Sequence, residues 1–567
     1  MAESVCITSG FLGQSSFVAN QTLADPFYYL SNFQRVLQWL GERYSDLLDE
    51  HEAHFIRLFG GLEQTEQALL VRMIMRKGEL FRTSRLQYPE IGCPQRAAQA
   101  LLAAELVDDR APLSVAQLFD VLLKNELLSI FKPHLDDPAA RKVQWLQVLE
   151  ALQLAPRPIE QWCPQWGDRI LALRVGTLCD RLRLMFFGNL RQGWTEFVLA
   201  DLGVYRYERV EFDVQSRGLR DRSDIDAALS LHECALALEA DAESDAVMTG
   251  LLAVRSDNPW LQRRRDTLLF RLAQTCERRK HWAQALQIYR QCAHPQARSR
   301  TVRVLELNGE LAAALDLAQQ ALAAPHNAAE VQQLARMLPR LQRGLALPVQ
   351  ARRSKPKVER LDLHLPRDEQ PMSVERRVLQ HLEQAHAPVH YVENSLLNSL
   401  FGLLCWPAIF AAVPGAFFHP FQSGPADLLQ VDFRQRRAEL FDACLEQLQD
   451  GRYKQSIRAC YQSKWGLQSP FVFWGALNEG LLELALECLP AEHLRHCFER
   501  LLEDIKANRT GMPDLIQFWP ETGQYRMIEV KGPGDRLQDN QLRWIEFCAR
   551  HGMPLQVCYV QWQDAVA

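Results

Sequence analysis

The chain has 567 residues, 47% of them hydrophobic, and a formal net charge of −5. That is material for several domains of ordinary size, and it excludes a wholly basic nucleic-acid binder, so any such contact has to come from local patches. Fourteen cysteines are present, yet no Cys-x-x-Cys pair and no matching Cys/His set occurs, which argues against a zinc finger. Scattered free thiols suit a reducing compartment, and Met1-Ala2-Glu3-Ser4 lacks the pattern of a secretory leader, so a cytoplasmic location is expected.

From Pro26 to about Tyr88 apolar residues recur at helical spacing: Phe27, Tyr28, Leu30, Phe33, Val36 and Leu40, then Phe55, Leu58, Phe59, Leu70 and Met73. Between Pro89 and Trp162 short helices are expected around 97–105, 115–124 and 141–152. From about Arg169 to Leu347 the pattern is almost continuously helical and alanine-rich. Blocks beginning at Ile225, Trp282 and Leu311 look alike, the last two lying 29 residues apart, near but below the usual tetratricopeptide period. Small residues at Ala285 and Ala314 let paired helices approach, so a degenerate helical-repeat array is expected, with a plain helical bundle as the alternative. Pro348 to Arg367 holds Arg352-Arg353-Ser354-Lys355-Pro356-Lys357 and several prolines without a sustained period, and reads as an exposed linker.

A C-terminal module begins near Met372. Leu396, Leu400, Leu403 and Leu404 form the stripe of an apolar helix with Glu393 in its first turn. Gly402 to Phe418 is uncharged, but it is too short for a membrane span and is interrupted by Pro407 and Pro414. A helical insertion over 433–506 leads to a β-hairpin: Leu515–Trp519 and Tyr525–Val530 are aromatic and aliphatic runs separated by Pro520-Glu521-Thr522-Gly523. A helix over 537–550 and a strand over 555–560 close the chain. The expected fold is mostly α and multidomain, ending in an α/β domain with a mixed sheet.

Along the second hairpin strand side chains alternate, so Glu529 and Lys531 point one way while Ile528 and Val530 point the other. Asp514 enters at the start of the partner strand. Two acids and an ammonium at a strand end suit a magnesium-type site for phosphodiester hydrolysis. Taken singly, Asp514 reads better as a turn aspartate and Glu529–Lys531 as a surface pair.

The spacing of Pro513-Asp514 and Glu529-Val530-Lys531 resembles the PD-(D/E)xK nuclease signature. The flanks narrow it. Gly511-Met512-Pro513-Asp514 before, and Lys531-Gly532-Pro533-Gly534-Asp535-Arg536-Leu537 with Gln541 and Trp544 after, resemble the virus-type replication-repair nuclease (VRR-NUC) domain and, within it, a bacterial-type Fanconi-associated nuclease. Glu393 to Trp406 resembles that family's first nuclease helix, and Tyr28-Tyr29-Leu30 with Val71 to Lys77 resembles its N-terminal domain. The resemblance spans nearly the whole chain.

The resemblance implies a division into a helical DNA-binding domain (1–88), a SAP-like DNA-binding module (89–165), a tetratricopeptide-like array (166–347), a linker (348–371) and the nuclease domain (372–567). It implies that Asp514, Glu529, the Val530 carbonyl and Glu393 hold Mg²⁺ or Mn²⁺, two ions per site. Lys531 then lies beside the attacking water, and Gln541 supports the site or touches phosphate. The implied activity is 5′-flap endonuclease and 5′-to-3′ exonuclease action in DNA repair, including interstrand-crosslink repair. Branched or flapped double-stranded DNA is the partner, in the nucleoid and not at a membrane. Eukaryotic relatives carry a ubiquitin-binding zinc finger; nothing here matches it, so ubiquitin binding is not expected. Arg263-Arg264-Arg265, Arg278-Arg279-Lys280 and Arg434, Arg436 and Arg437 are candidate phosphate contacts, as is Arg509, while Arg536 contacts DNA or braces the loop after Lys531. A junction-resolving or restriction-type nuclease with the same core, or a scaffold with a vestigial nuclease, are the competing readings.

Overall fold

The computed structural model describes residues 25–194, 205–349, 358–366 and 372–563, so the basic run Arg352–Lys357 lies outside it. The chain divides into two compact units, one up to Tyr205 and the other from Arg206.

In the first unit the helices Tyr28–Arg43, Glu50–Gly61 and Gln64–Ile74 bury the apolar stripes of the sequence, with Phe33, Leu40 and Leu70 fully enclosed. Asp49 and Glu52 form a capping box that fixes the start of the second helix. Three short strands, β1 (Leu80–Arg82), β2 (Val107–Asp108) and β3 (Ile170–Leu173), form an antiparallel sheet in the order β1-β3-β2. The segment from Ile170 through the helix Gly176–Phe187, expected to open the helical array, therefore belongs to this first unit. Ile170-Leu171-Ala172-Leu173 is a short apolar run whose type periodicity cannot decide, and its pairing with Leu80 to Arg82 makes it a strand. Residues 113–170 gather their own small core around Leu118, Phe131, Trp145, Leu149 and Ile159.

The second unit opens with helices. Pro259–Arg278 and Trp282–Arg290, then Ala297–Leu307 and Leu311–Ala323, are pairs joined by tight turns. The 29-residue spacing recurs in the backbone. Lys280 and Gly309 both take left-handed conformations, at φ 62° and 82°. Each turn closes with the same bond, His281 N–H to the Cys276 carbonyl (2.9 Å) and Glu310 N–H to the Leu305 carbonyl (2.9 Å). Ala285 and Ala314 are fully buried, as close helix pairing requires.

The C-terminal sheet has five strands: β4 (Glu359–Pro366), β5 (Val389–Tyr391), β6 (Leu515–Trp519), β7 (Gln524–Lys531) and β8 (Leu555–Gln563), ordered β4-β8-β7-β6-β5. Only the β4–β8 and β8–β7 pairings are parallel, which makes the sheet mixed. The strand β4 corrects the expected linker, because Leu361, Leu363 and Leu365 alternate with Arg360, Asp362 and His364 in the period of a strand. Flanking prolines and the solvated polar face, as on edge strands generally, hide that pattern. One face of the sheet is covered by the helix Val374–Leu382 through Val378, packed with Leu515, Ile528, Val530 and Cys558. The other packs on the helix Asp539–Arg550 and on the insertion, whose helices include Ala438–Asp450, Tyr453–Lys464, Glu479–Cys488 and Ala491–Glu503. Leu396–Leu404 is buried along its whole length in that core, and no helix of the described residues is long and apolar enough to cross a membrane.

Candidate active site

Strand β7 is central and covered on both faces, so polar side chains on it are paired or functional. Its register sets Leu515 opposite Ile528 on β6 and Glu529 opposite Val557 on β8. Ile528 and Val530 enter the core under the helix Val374–Leu382, which leaves Glu529 and Lys531 together on the opposite face, as the alternation predicts. Lys531 Nζ stands 2.7 Å from Glu529 Oε1, the side chains being 9% and 1% exposed. That oxygen nevertheless accepts no well-aligned hydrogen bond. Burial, followed by the negative charge of Asp514, outweighs the ammonium and pushes the Glu529 carboxyl up to about 8.

Asp514 lies just ahead of β6, where two backbone bonds fix it. Its carbonyl accepts the Val392 N–H (2.8 Å), and its Oδ2 accepts the Val530 N–H (2.8 Å). The carboxylate is thereby held at the end of β7. Burial raises it to about 6, the Val530 bond opposing and the Glu393 charge adding to the rise.

Glu393 does not sit in the first helical turn as expected. The helix starts at Leu396, and Glu393 occupies the turn between it and β5. Asn394 is left-handed at φ 50°, a conformation asparagine tolerates better than most side chains and one that cannot continue a helix. Tyr391 Oη donates to Glu393 Oε2 and Asn394 Nδ2 donates to Oε1 (3.2 Å). The Glu393 charge raises both Asp514 and Glu529, so the three carboxylates face one another electrostatically. Glu375, in the first turn of the helix Val374–Leu382, adds to the rise at Asp514 and is a fourth acid that sequence reading missed. Its signal was weak, a lone glutamate behind an N-cap serine. Tyr391, two residues before Glu393, was likewise passed over.

Among the described residues no three acidic, histidine or cysteine side chains close tightly enough to enclose an ion. The donor set still fits a hard divalent cation: oxygen ligands only, two carboxyls lifted by burial and mutual repulsion, and a buried Glu529 oxygen without a well-aligned donor.

The remaining candidates divide. Gln541 Oε1 accepts the Gln538 N–H (2.8 Å) in a capping box, so this glutamine caps its own helix. The loop after Lys531 is braced by Asp535, whose carboxylate accepts the Gly532 N–H (2.9 Å), and not by the exposed Arg536. Arg509 is half-buried and donates to the Pro470 carbonyl (3.3 Å). Arg437 is wholly buried and bidentate to Asp427, which also takes Arg436 at 2.6 Å. Arg263 pairs with Asp432 at 3.2 Å, Arg264 lies over the Trp260 ring, and Arg265 donates to the Val254 carbonyl. Arg437 is therefore a core residue, not a phosphate contact. Arg434 is 40% exposed beside Asp442, and Arg279 pairs with Asp241, while Arg278 and Lys280 are exposed.

Residues 27–108 match the FAN1 HTH domain, 112–162 the Fanconi anemia-associated nuclease SAP domain and 448–562 the VRR-NUC domain. The chain is 55% identical over 545 residues to the Fanconi-associated nuclease 1 homolog of Pseudomonas aeruginosa, covering 96% of this chain and 98% of that protein. It is 24% identical to the homolog of Arabidopsis thaliana, covering 94% of this chain and 67% of that one. A crystal structure of paFAN1 bound to 2nt 5′ flap DNA with gap superposes with a TM-score of 0.88 at 55% identity, covering 96% of this chain and all of that one. The complex with 1nt 5′ flap DNA with gap gives 0.86. The chain belongs to the Fanconi-associated nuclease family, and it is a DNA nuclease.

Proposed function

We propose that this nuclease is structure-selective and metal-dependent, cutting 5′-flapped DNA near the branch and degrading DNA 5′ to 3′ in repair, including repair of interstrand crosslinks. The observation that carries the reading is the facing of Asp514, Glu529 and Lys531 at the ends of β6 and β7, in a chain 55% identical to a protein solved on 5′ flap DNA.

Phosphodiester hydrolysis is slow enough to need roughly 20 kcal/mol of barrier reduction. Asp514, Glu529, Glu393 and the Val530 carbonyl would hold Mg²⁺ or Mn²⁺. When bound, a divalent ion supplies Lewis acidity that activates water and offsets charge on the phosphate. The chain's own residues do the rest. Asp514 commits Oδ2 to the Val530 N–H, which leaves Oδ1 as a ligand. Glu529, whose carboxyl is raised to about 8, would have to lose its proton to serve as a ligand. Lys531 keeps an ammonium fixed beside these oxygens, where charge that develops on the attacked phosphate is stabilised without reorganisation.

The test compares end-labelled 5′-flap, 3′-flap, four-way-junction and linear duplex substrates with Mg²⁺ or Mn²⁺. Preferred incision of the 5′-flap substrate, lost in Asp514→Ala, is expected. Symmetric paired nicks on the four-way junction, or wild-type rates in Asp514→Ala, would overturn the proposal.

A further inference from the structure

Glu393 reaches the site from a separate stretch of chain, and what aims it is not the sheet. The pairing of β5 with β6 ends at Tyr391 opposite Leu515, and the last backbone bond between the two segments is Val392 N–H to the Asp514 carbonyl. Glu393 is one residue beyond that bond, in a turn. A glutamate there has three rotatable bonds and no packed neighbour dictated by strand register, so its carboxylate needs side-chain partners to keep one position.

Asn394 and Tyr391 provide them. Asn394 uses both ends of its amide: Nδ2 donates to Glu393 Oε1 (3.2 Å), and Oδ1 accepts the Met512 N–H (3.1 Å) on the loop that carries Asp514. The Asn394 carbonyl accepts from Asn398 Nδ2 (2.8 Å), which also donates to the Arg509 carbonyl (2.9 Å) at the start of the same loop. Two asparagines four residues apart thus tie the Glu393 turn to the 509–514 loop at two points. Tyr391, on the same side two residues earlier, holds the other oxygen, Oε2. Each carboxylate oxygen accepts one such bond and keeps a lone pair for a cation. The left-handed φ of 50° at Asn394 is a conformation most side-chain-bearing residues avoid, and the amide bonds give a physical reason for keeping it.

We propose that Asn394 and Tyr391 are positioning residues that cradle the Glu393 carboxylate and lock it in register with the Asp514 loop. Neither touches the reacting atoms; both act through Glu393. The inference rests on the metal-site reading above.

The test is calorimetric titration of Mn²⁺ into the full-length protein without DNA, for wild type, Asn394→Gly and Tyr391→Phe, with thermal melting in chelator. Glycine accepts the left-handed backbone and removes both amide bonds; phenylalanine removes one hydrogen bond at a half-exposed ring with no backbone cost. Each variant is expected to bind Mn²⁺ about tenfold more weakly while melting like wild type. Flap KM should hold, and kcat at low Mn²⁺ should fall and recover as Mn²⁺ is raised. Wild-type Mn²⁺ affinity in Tyr391→Phe, or in folded Asn394→Gly, overturns the inference alone. A wild-type protein that takes up no Mn²⁺ overturns the metal reading and this inference with it.

Discussion

Lys531 Nζ and Glu529 Oε1 lie 2.7 Å apart, buried together on the face of β7 opposite Ile528 and Val530. Asp514 stands close enough for its charge to raise Glu529 further, so the ammonium serves two acids. Replacing it in Lys531→Met leaves Glu529 free to take a proton, because that carboxyl is already lifted to about 8, and the fold survives. Catalysis does not. Single-turnover cleavage is expected to fall by on the order of 10²–10⁴ while flap affinity stays within about threefold. Equal losses in binding and rate would assign Lys531 to DNA contact instead.

The two raised carboxyls set a pH dependence for the metal-free protein. Asp514 at about 6 and Glu529 at about 8 both exceed their unfolded values of about 3.9 and 4.3. Groups raised in the folded state contribute stability that is complete below the unfolded pKa and lost as pH rises through the folded one. In chelator, the transition of the nuclease unit should therefore weaken between about pH 4 and pH 8. A tenfold difference in proton affinity between the folded and unfolded chain corresponds to at most about 1.4 kcal/mol of that loss. Mn²⁺ removes the penalty, so its stabilising effect should grow over the same range. Melting with and without Mn²⁺ at several pH values checks this; a metal effect independent of pH would contradict it.

The hairpin and its three chemical residues were legible because strand alternation and turn chemistry are local. Glu529 and Lys531 had to share a face once the strand was recognised. The position of Glu393 was not legible: periodicity extends the helix back to it, whereas the left-handed Asn394 stops the helix at Leu396. The strand β4 was missed because three leucines at alternate positions lie between proline-rich flanks. The burial of Arg437 and the pairing of Arg263 were illegible for a different reason. Their partners Asp427 and Asp432 lie in irregular segments, and no spacing rule pairs a charge with a loop residue.

Arg437 makes that last point testable. Its side chain is fully buried, bidentate to Asp427, and stacked on the Phe433 ring at 4.3 Å. Arg437→Ala takes two charged hydrogen bonds from the buried Asp427 carboxylate and leaves it Arg436 alone, which costs on the order of 3 kcal/mol. DNA binding and cleavage should then fall together with the melting temperature. Arg434→Ala, at a 40% exposed site, should leave melting unchanged. If Arg437→Ala melts like wild type but shows a shallower salt dependence of flap binding, the arginine is a phosphate contact after all.

Gly511 tests how tightly the Asp514 loop is seated. Its φ is +88°, and a Cβ there would lie 2.7 Å from the Asn540 backbone carbon at the start of the helix Asp539–Arg550. Backbone cannot swing aside as a side chain can, so Gly511→Ala must move the loop, and Asp514 is three residues on. A displacement of about 1 Å at a ligand is enough for about a hundredfold loss in kcat. Gly523 in the hairpin turn is the matched control: its φ is +61°, but nothing lies within 4 Å of a Cβ. Gly523→Ala should therefore carry the backbone penalty alone, about 1–2 kcal/mol, with kcat unchanged at saturating DNA and Mn²⁺. Equal kcat in the two variants would mean that the loop tolerates a shift without misplacing Asp514.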